Sequence, residues 1–472
     1  MTHTTLSSLL CHFKDTIDRT NVHLWVKESL DRLVGPRRPW PSLTIGDVTV
    51  PTPIVQGGMG VGISLSGLAS AVANAGGIGV IAANGIGLLE KGYFQDGRAA
   101  NIRALRREIR AARASTDGII GVNIMVAISD FDQLLQVCIE ERVDLVFLGA
   151  GLPIKGMPVR ALRAANIKVI PIISSARAAA MIFRMWEKLY SDIPDGVVVE
   201  GPKAGGHLGF AVEHLDDRSH QLERLVVEVI DALAPYTSAR GGRIPVIAAG
   251  GIYSGADIHR FLGLGASAVQ MGTRFVATEE CDADIRFKEA YIKARKQDIG
   301  LIESPVGMPG RAIRNRFISD SEAGVRPPFL CAYPCLSTCK AQDAHYCISI
   351  ALNNARKGNL ESGFVFAGTN AYRIKQIVSV QSLIDELSSG YEQTVVRKLA
   401  ALVSRFEQLS ADHESIEATV ASLAKHYESL VLTALPEAIK RAKSQYRRAA
   451  LTLERIRLSM GDTVAQAAAL LV

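Results

Sequence analysis

The sequence predicts an α/β protein built on a (β/α)8 barrel of the TIM type, with a helical N-terminal lead-in and an α-helical C-terminal extension. Three observations predict it. Eight short runs rich in Val and Ile recur between residues 52 and 275. They are continuous rather than alternating, as strands buried on both faces of a parallel sheet require. Each is followed by glycines or polar residues and then by a helical pattern, and the roughly 220-residue span suits eight βα units. An open doubly wound sheet is the alternative, but it would more often carry fewer strands and one strong phosphate fingerprint.

Taken in order, residues 1–44 read as the helical lead-in. It is closed by Gly35-Pro36-Arg37-Arg38-Pro39-Trp40-Pro41, where three prolines and a glycine stop any helix. The barrel is expected over 45–320. Its strands are Thr52–Gln56, Gly79–Ala83, Ile119–Met125, Leu145–Leu148, Lys168–Ile173, Val197–Glu200, Pro245–Ala249 and Ala268–Gln270. Helix signals lie between them, as in Leu65–Ala75 behind Ser64, Arg103–Ala114, and Ala256–Leu264 behind Ser254. Residues 279–297 look helical, and 298–380 look irregular. Within that stretch, 321–384 reads as a Cys-containing segment packed on the barrel. From 385 to 472 apolar residues fall at helical spacing in three successive sets, Tyr391–Leu409, Ile416–Val431 and Ile439–Ile456, which predicts three or four amphipathic helices in a small bundle. Such a bundle reads as a structural or oligomerising appendage, with a homodimer the commonest form.

Composition narrows the class. Lys and Arg number 53 against 47 Asp and Glu, a net charge of +6, too weak to imply nucleic-acid binding yet suited to an anionic ligand. Hydrophobic residues at 48% and charged residues at 21% exclude a disordered or fibrous chain. The first 35 residues are charged throughout, and no apolar run approaches the roughly 20 residues of a membrane helix. Seven cysteines, an odd number, do not form a secreted disulfide framework. A soluble cytoplasmic protein is the expectation.

In a βα barrel the chemistry sits at the C-terminal strand ends. Here these read Gln56-Gly57-Gly58-Met59, Asn123-Ile124-Met125, Gly149-Ala150-Gly151, Glu200 through His207, Gly250-Gly251-Ile252 and Met271-Gly272-Thr273. Glycines at nearly every strand end mean that backbone approaches a ligand closely. Gly250-Gly251 and Gly272-Thr273 follow the last two strands, where barrels build phosphate sites from backbone N–H groups. Gly77 to Ala82 formally fits a dinucleotide fingerprint, but a strand-like run follows it rather than a helix. His207 is the only histidine of ten in a Gly-rich loop at a strand end, and imidazole suits proton transfer. Lys203 would hold that histidine neutral or pair with an anionic substrate, or simply face solvent. Asn123 offers an amide to the edge of a heteroaromatic ring.

Gln56–Met59, Gly121–Met125, Gly149–Gly151, Ala204-Gly205-Gly206-His207, Ile244–Ile252 and Ala268–Phe275 together resemble the nitronate monooxygenase (2-nitropropane dioxygenase) family, which includes the FMN-dependent enoyl-ACP reductase II. The resemblance implies FMN at the strand ends, its phosphate on Gly250, Gly251, Gly272 and Thr273, with Gln270 and Asn123 near the ring. Gly57, Gly58, Met59, Met271 and Lys203 complete the expected cofactor set, and His207 would be the catalytic residue. The implied activity is oxidation of alkyl nitronates with O2. The alternatives are reduction of an enoyl thioester by NAD(P)H, and a non-catalytic flavin-binding subunit.

Cys331, Cys335, Cys339 and Cys347 form C-x3-C-x3-C-x7-C. That spacing matches none of the common zinc or ferredoxin patterns, so free thiols are favoured over a metal site.

Overall fold

The computed structural model describes residues 6–19, 40–237, 242–325, 329, 331, 333–337, 339–433 and 436–471. Of the predicted stop at 35–41, residues 35–39 lie outside them. The chain divides into two compact units, Trp40–Ser388 and a second made of Met1–Pro39 with Ser389–Val472.

In the larger unit a short antiparallel hairpin, β1 (Leu43–Ile45) and β2 (Val48–Val50), precedes the barrel. The barrel strands are β3 (Ile54–Gln56), β4 (Gly79–Ala82), β5 (Ile120–Met125), β6 (Leu145–Gly149), β7 (Lys168–Ile173), β8 (Val197–Glu200), β10 (Val246–Ala249) and β11 (Ala268–Met271). All neighbours pair in parallel, in the order β3-β11-β10-β8-β7-β6-β5-β4. Between β3 and β4 the ring is bridged by the single parallel pair Val55 and Ile78, with Gln56 N donating to Ile78 O at 3.0 Å. The Gln56 side chain, fully buried, strengthens that weakest seam by accepting from Val80 N at 3.0 Å. Each predicted strand is present within two residues of its expected ends. Val55, Val80, Leu145, Phe147, Ile170, Val198 and Ile247 fill the barrel interior, and Leu43, Ile45 and Val50 of the hairpin join the same apolar cluster.

Capping shows where local signals hold and where they fail. Ser254 caps helix Gly255–Gly263 through a capping box with Asp257, as its sequence suggests. Ser64 does not cap helix Ser66–Asn74. Asp282 does, accepting from Leu65 N at 2.8 Å and Leu68 N at 3.2 Å, because a carboxylate on a helix N-terminus outcompetes a neutral hydroxyl.

The stretch 298–380, expected to be irregular, holds a second sheet. Strands β12 (Ile299–Glu303), β13 (Pro309–Ile313) and β14 (Val365–Phe366) pair antiparallel, and β13 also pairs with β9 (Gly206–His207). Helices Arg316–Glu322 and Ile348–Arg356 lie in the same stretch.

The smaller unit contains helix Leu6–Arg19, the remainder of a helix running from Val380 to Thr433, and helix Pro436–Leu471. Three or four helices were expected after residue 385, and the described residues there form two. The apolar sets do not mark separate helices, since no proline interrupts 381–433, and Pro436 then opens the second helix where its missing N–H costs nothing. Phe13 and Ile17 pack with Leu399, Val403, Phe406, Met460, Val464 and Ala467 in one buried core. Among the described residues no helix is long and apolar enough to cross a membrane.

Candidate active site

The C-terminal strand ends enclose a cavity of about 320 Å³. Its lining includes Gly57, Gly58, Met59, Asn123, His207, Gly250, Gly251, Gln270, Met271, Gly272 and Thr273. Eleven of the twelve predicted site residues therefore converge on one space. Lys203 does not: its side chain is exposed, and its stem packs beside Gly251.

The glycines are there for geometric reasons. Gly250 and Gly251 have φ of +97° and +83°, and a Cβ on Gly251 would sit 2.8 Å from Lys203 Cβ. A Cβ on Gly58 would lie 2.4 Å from Asn123 Cβ, so only glycine allows β3 and β5 to end this close. The Thr273 hydroxyl accepts from Gly368 N at 3.0 Å, which leaves its own proton to donate. Asn123 Nδ2 donates to Phe147 O at 3.2 Å, which leaves the amide oxygen to accept.

His207 is placed by the second sheet. It pairs with Gly310 through β9 and β13, its Nε2 lies 2.7 Å from Ser304 Oγ, and its ring meets Phe366 edge-on at 5.1 Å. Burial lowers its pKa to about 4, so the imidazole is neutral at pH 7 and able to take a proton. The loop before it is fixed by Arg311. This buried guanidinium donates to Pro202 O at 2.6 Å and Ala204 O at 2.7 Å. Asn370 pins the other side, donating to Gly251 O at 2.6 Å.

Sequence reasoning missed Ser304, Arg311, Phe366 and Asn370, since nothing local links them to a strand end. It also passed over Glu200, which ends β8 and lines the cavity. An acidic residue closing a run of three valines was the available signal. Burial lifts its carboxyl to about 7, so it holds a proton up to neutral pH. The lining also carries apolar side chains, among them Val61, Ile63, Leu336, Ile348 and Leu352.

All seven cysteines are free thiols. Among the described residues no group of three or more His, Cys, Asp and Glu is spaced to hold a metal ion.

Comparison with known proteins gives the same picture. The nitronate monooxygenase family profile matches residues 42–132 and 121–390. Nitronate monooxygenase of Pseudomonas aeruginosa is 31% identical over 376 residues, covering 71% of this chain and 96% of the relative. The structure of FabK from Thermotoga maritima superposes with a TM-score of 0.57 at 32% identity, covering 75% of this chain and 96% of that one. A nitroalkane oxidase from Streptomyces ansochromogenes, 23% identical with a TM-score of 0.58, shares the fold over 74% of this chain and 98% of its own. With the profile spanning most of the barrel unit and its strand-end loops, this chain is an oxidoreductase that belongs to the nitronate monooxygenase family.

Proposed function

We propose that the protein is an FMN-dependent oxidoreductase that oxidises alkyl nitronates, with His207 as the group that handles protons. The observation that carries this reading is a neutral histidine set into the wall of a glycine-lined cavity. The chain's own residues fit the flavin. Gly250 and Gly251 hold φ of +97° and +83° and let the Gly201–Ala204 loop pack against the end of β10, and Thr273 keeps a hydroxyl proton to donate; together with Gly272 they would hold the phosphate. Gly57, Gly58, Met59, Asn123, Gln270 and Met271 would line the ring. Lys203, outside the cavity, is assigned no contact with it. When bound, the flavin supplies the electron transfer between substrate and O2.

The remaining work falls to the protein. A nitronate is an anion, and a protonated Glu200 with a neutral His207 leaves the cavity without a fixed negative charge to repel it. His207 accepts a proton from the carbon of a parent nitroalkane or from the breakdown of product, and Ser304 keeps its ring oriented.

A second reading is an NAD(P)H-dependent enoyl thioester reductase of the same family. The apolar lining residues Val61, Ile63, Leu336, Ile348 and Leu352, which would seat an acyl chain, favour it. So does the 32% identity to FabK. One experiment tests both. The purified protein is mixed anaerobically with an alkyl nitronate, and separately with NADPH and an enoyl thioester. Flavin bleaching by nitronate, followed by nitrite release in air, is expected. Bleaching by NADPH alone with loss of the enoyl thioester would replace the first reading with the second, and a colourless protein that FMN does not reconstitute would end both.

A further inference from the structure

The large cavity has a smaller neighbour. A second cavity of about 180 Å³ lies beside the loop that follows β10, and Tyr253 lines both. Three cations face it, Arg274, Arg373 and Lys375, against a single carboxylate, Glu386. Arg274 is only 9% exposed and donates to Glu386 at 2.7 Å. Arg373 and Lys375 have no carboxylate partner among the described residues, and Lys375 Nζ donates to a backbone oxygen, Tyr372 O, at 2.8 Å. Two positive charges are therefore left in excess.

Arg373 and Lys375 are exposed, but the two arginines are fixed on an aromatic ring. The guanidinium groups of Arg274 and Arg373 lie 4.3 and 4.0 Å from the centroid of the Tyr253 ring. The π system of that ring attracts each cation and keeps both at the wall of this cavity. Like charges gathered in this way raise the free energy of the empty cavity, and an anion relieves it. Guanidinium forks match phosphate oxygens in particular, and Lys375 adds a point charge.

The geometry points to this cavity as a binding site for a phosphate group, a phosphomonoester or a diphosphate, carried by a ligand other than the flavin. It is separate from the flavin's phosphate site, because Gly250, Gly251, Gly272 and Thr273 line the large cavity and not this one. At about 180 Å³ it is below the roughly 300–1,000 Å³ of sites that enclose a whole small molecule. It takes the anionic end of a longer ligand whose remainder reaches past Tyr253 toward the large cavity. Two ligand classes share that chemistry, a nicotinamide nucleotide and a coenzyme A-type thioester carrier. A purely structural role, Arg274 anchoring Glu386, balances one cation and leaves the charges of Arg373 and Lys375 uncompensated.

The test is calorimetric titration of the full-length, flavin-loaded protein at low salt with inorganic pyrophosphate, NADPH and coenzyme A in turn. Pyrophosphate should bind the wild type. The Arg373→Ala/Lys375→Ala double variant should bind it at least about tenfold more weakly, with Arg373→Gln alone moving in the same direction. Both residues are exposed, so folding should persist, and an unchanged flavin spectrum and near-UV dichroism would verify it. A loss seen with NADPH and not coenzyme A assigns the nucleotide, the converse assigns the thioester carrier, and a loss with both assigns the diphosphate they share. Equal affinities in wild type and double variant, or no binding of any probe by the wild type, overturn the proposal. Because the readout is heat and not turnover, this outcome is independent of the nitronate reading, whose failure would show in the flavin bleaching experiment instead.

Discussion

Replacing Glu200 by Gln should stabilise the protein, and by an amount that depends on pH. Glu200 ends β8 facing the cavity, and among the described residues no hydrogen bond or cation satisfies its carboxylate. Burial therefore raises its pKa from 4.5 to about 7. In the unfolded chain the group ionises above 4.5, while in the native protein it stays protonated until about 7. The unfolded state thus holds fewer protons across this window, and stability falls as pH rises from 4.5 to 7, with the full cost persisting above. At 1.36 kcal/mol per pH unit, the gap is worth about 3 kcal/mol. Water inside the cavity reaches the side chain and screens part of this, so that figure is a ceiling. Urea denaturation of flavin-free wild type and Glu200→Gln, followed at pH 5 and pH 8, measures it. The variant should gain about 2–3 kcal/mol at pH 8 and under about 1 kcal/mol at pH 5. His207, whose native pKa is near 4, titrates in both proteins and cancels from the difference. A stability change equal at the two pH values would refute the claim that this carboxyl is buried unpaired.

Other perturbations test the remaining parts of the site. His207→Ala should retain the flavin spectrum and lose about 10²–10⁴-fold in turnover, measured under saturating substrate. Arg311→Met leaves Pro202 O and Ala204 O without their donor, so denaturant titration should show a loss of about 2–5 kcal/mol, with turnover falling more than flavin content. Gly251→Val forces a branched side chain into φ +83° and against Lys203, so flavin affinity, read by fluorescence quenching, should drop along with about 1–3 kcal/mol of stability. A chain of residues 40–388 alone should still bind flavin, because the cavity lining ends at Asn370; an equilibrium dialysis showing no binding by a folded truncation would contradict it.

How much was legible in the sequence follows from how far apart the interacting residues lie. Parallel barrel strands are buried on both faces, so runs such as Val197–Val199 or Ile247–Ala249 announce themselves without reference to any other part of the chain. Strand ends follow directly, and with them the glycines and His207. The period of the C-terminal helices was readable as well. Their number was not read from it, because apolar spacing records a face and not an end; the breaker that sets it, Pro436, is a separate signal.

The second sheet had no such signal. Its strand β9 is two residues long, and β13 meets it about a hundred positions later. Pairing at that distance imprints no local period, so Gly206-His207 reads as a loop and 299–313 as irregular chain. The same holds for Asp282 capping a helix 217 positions upstream of it, and for Ser304 meeting His207 at a separation of 97. The division has a functional side. The barrel supplies the cavity and its backbone donors, which repetition makes visible. The histidine acquires its orientation from Ser304, one residue past β12, and its loop from Arg311 of β13. An identical barrel with a different sheet after residue 298 would keep the glycine-lined cavity and lose the contacts that orient the imidazole, so the proton handling proposed for His207 would rest on residues that the sequence conceals.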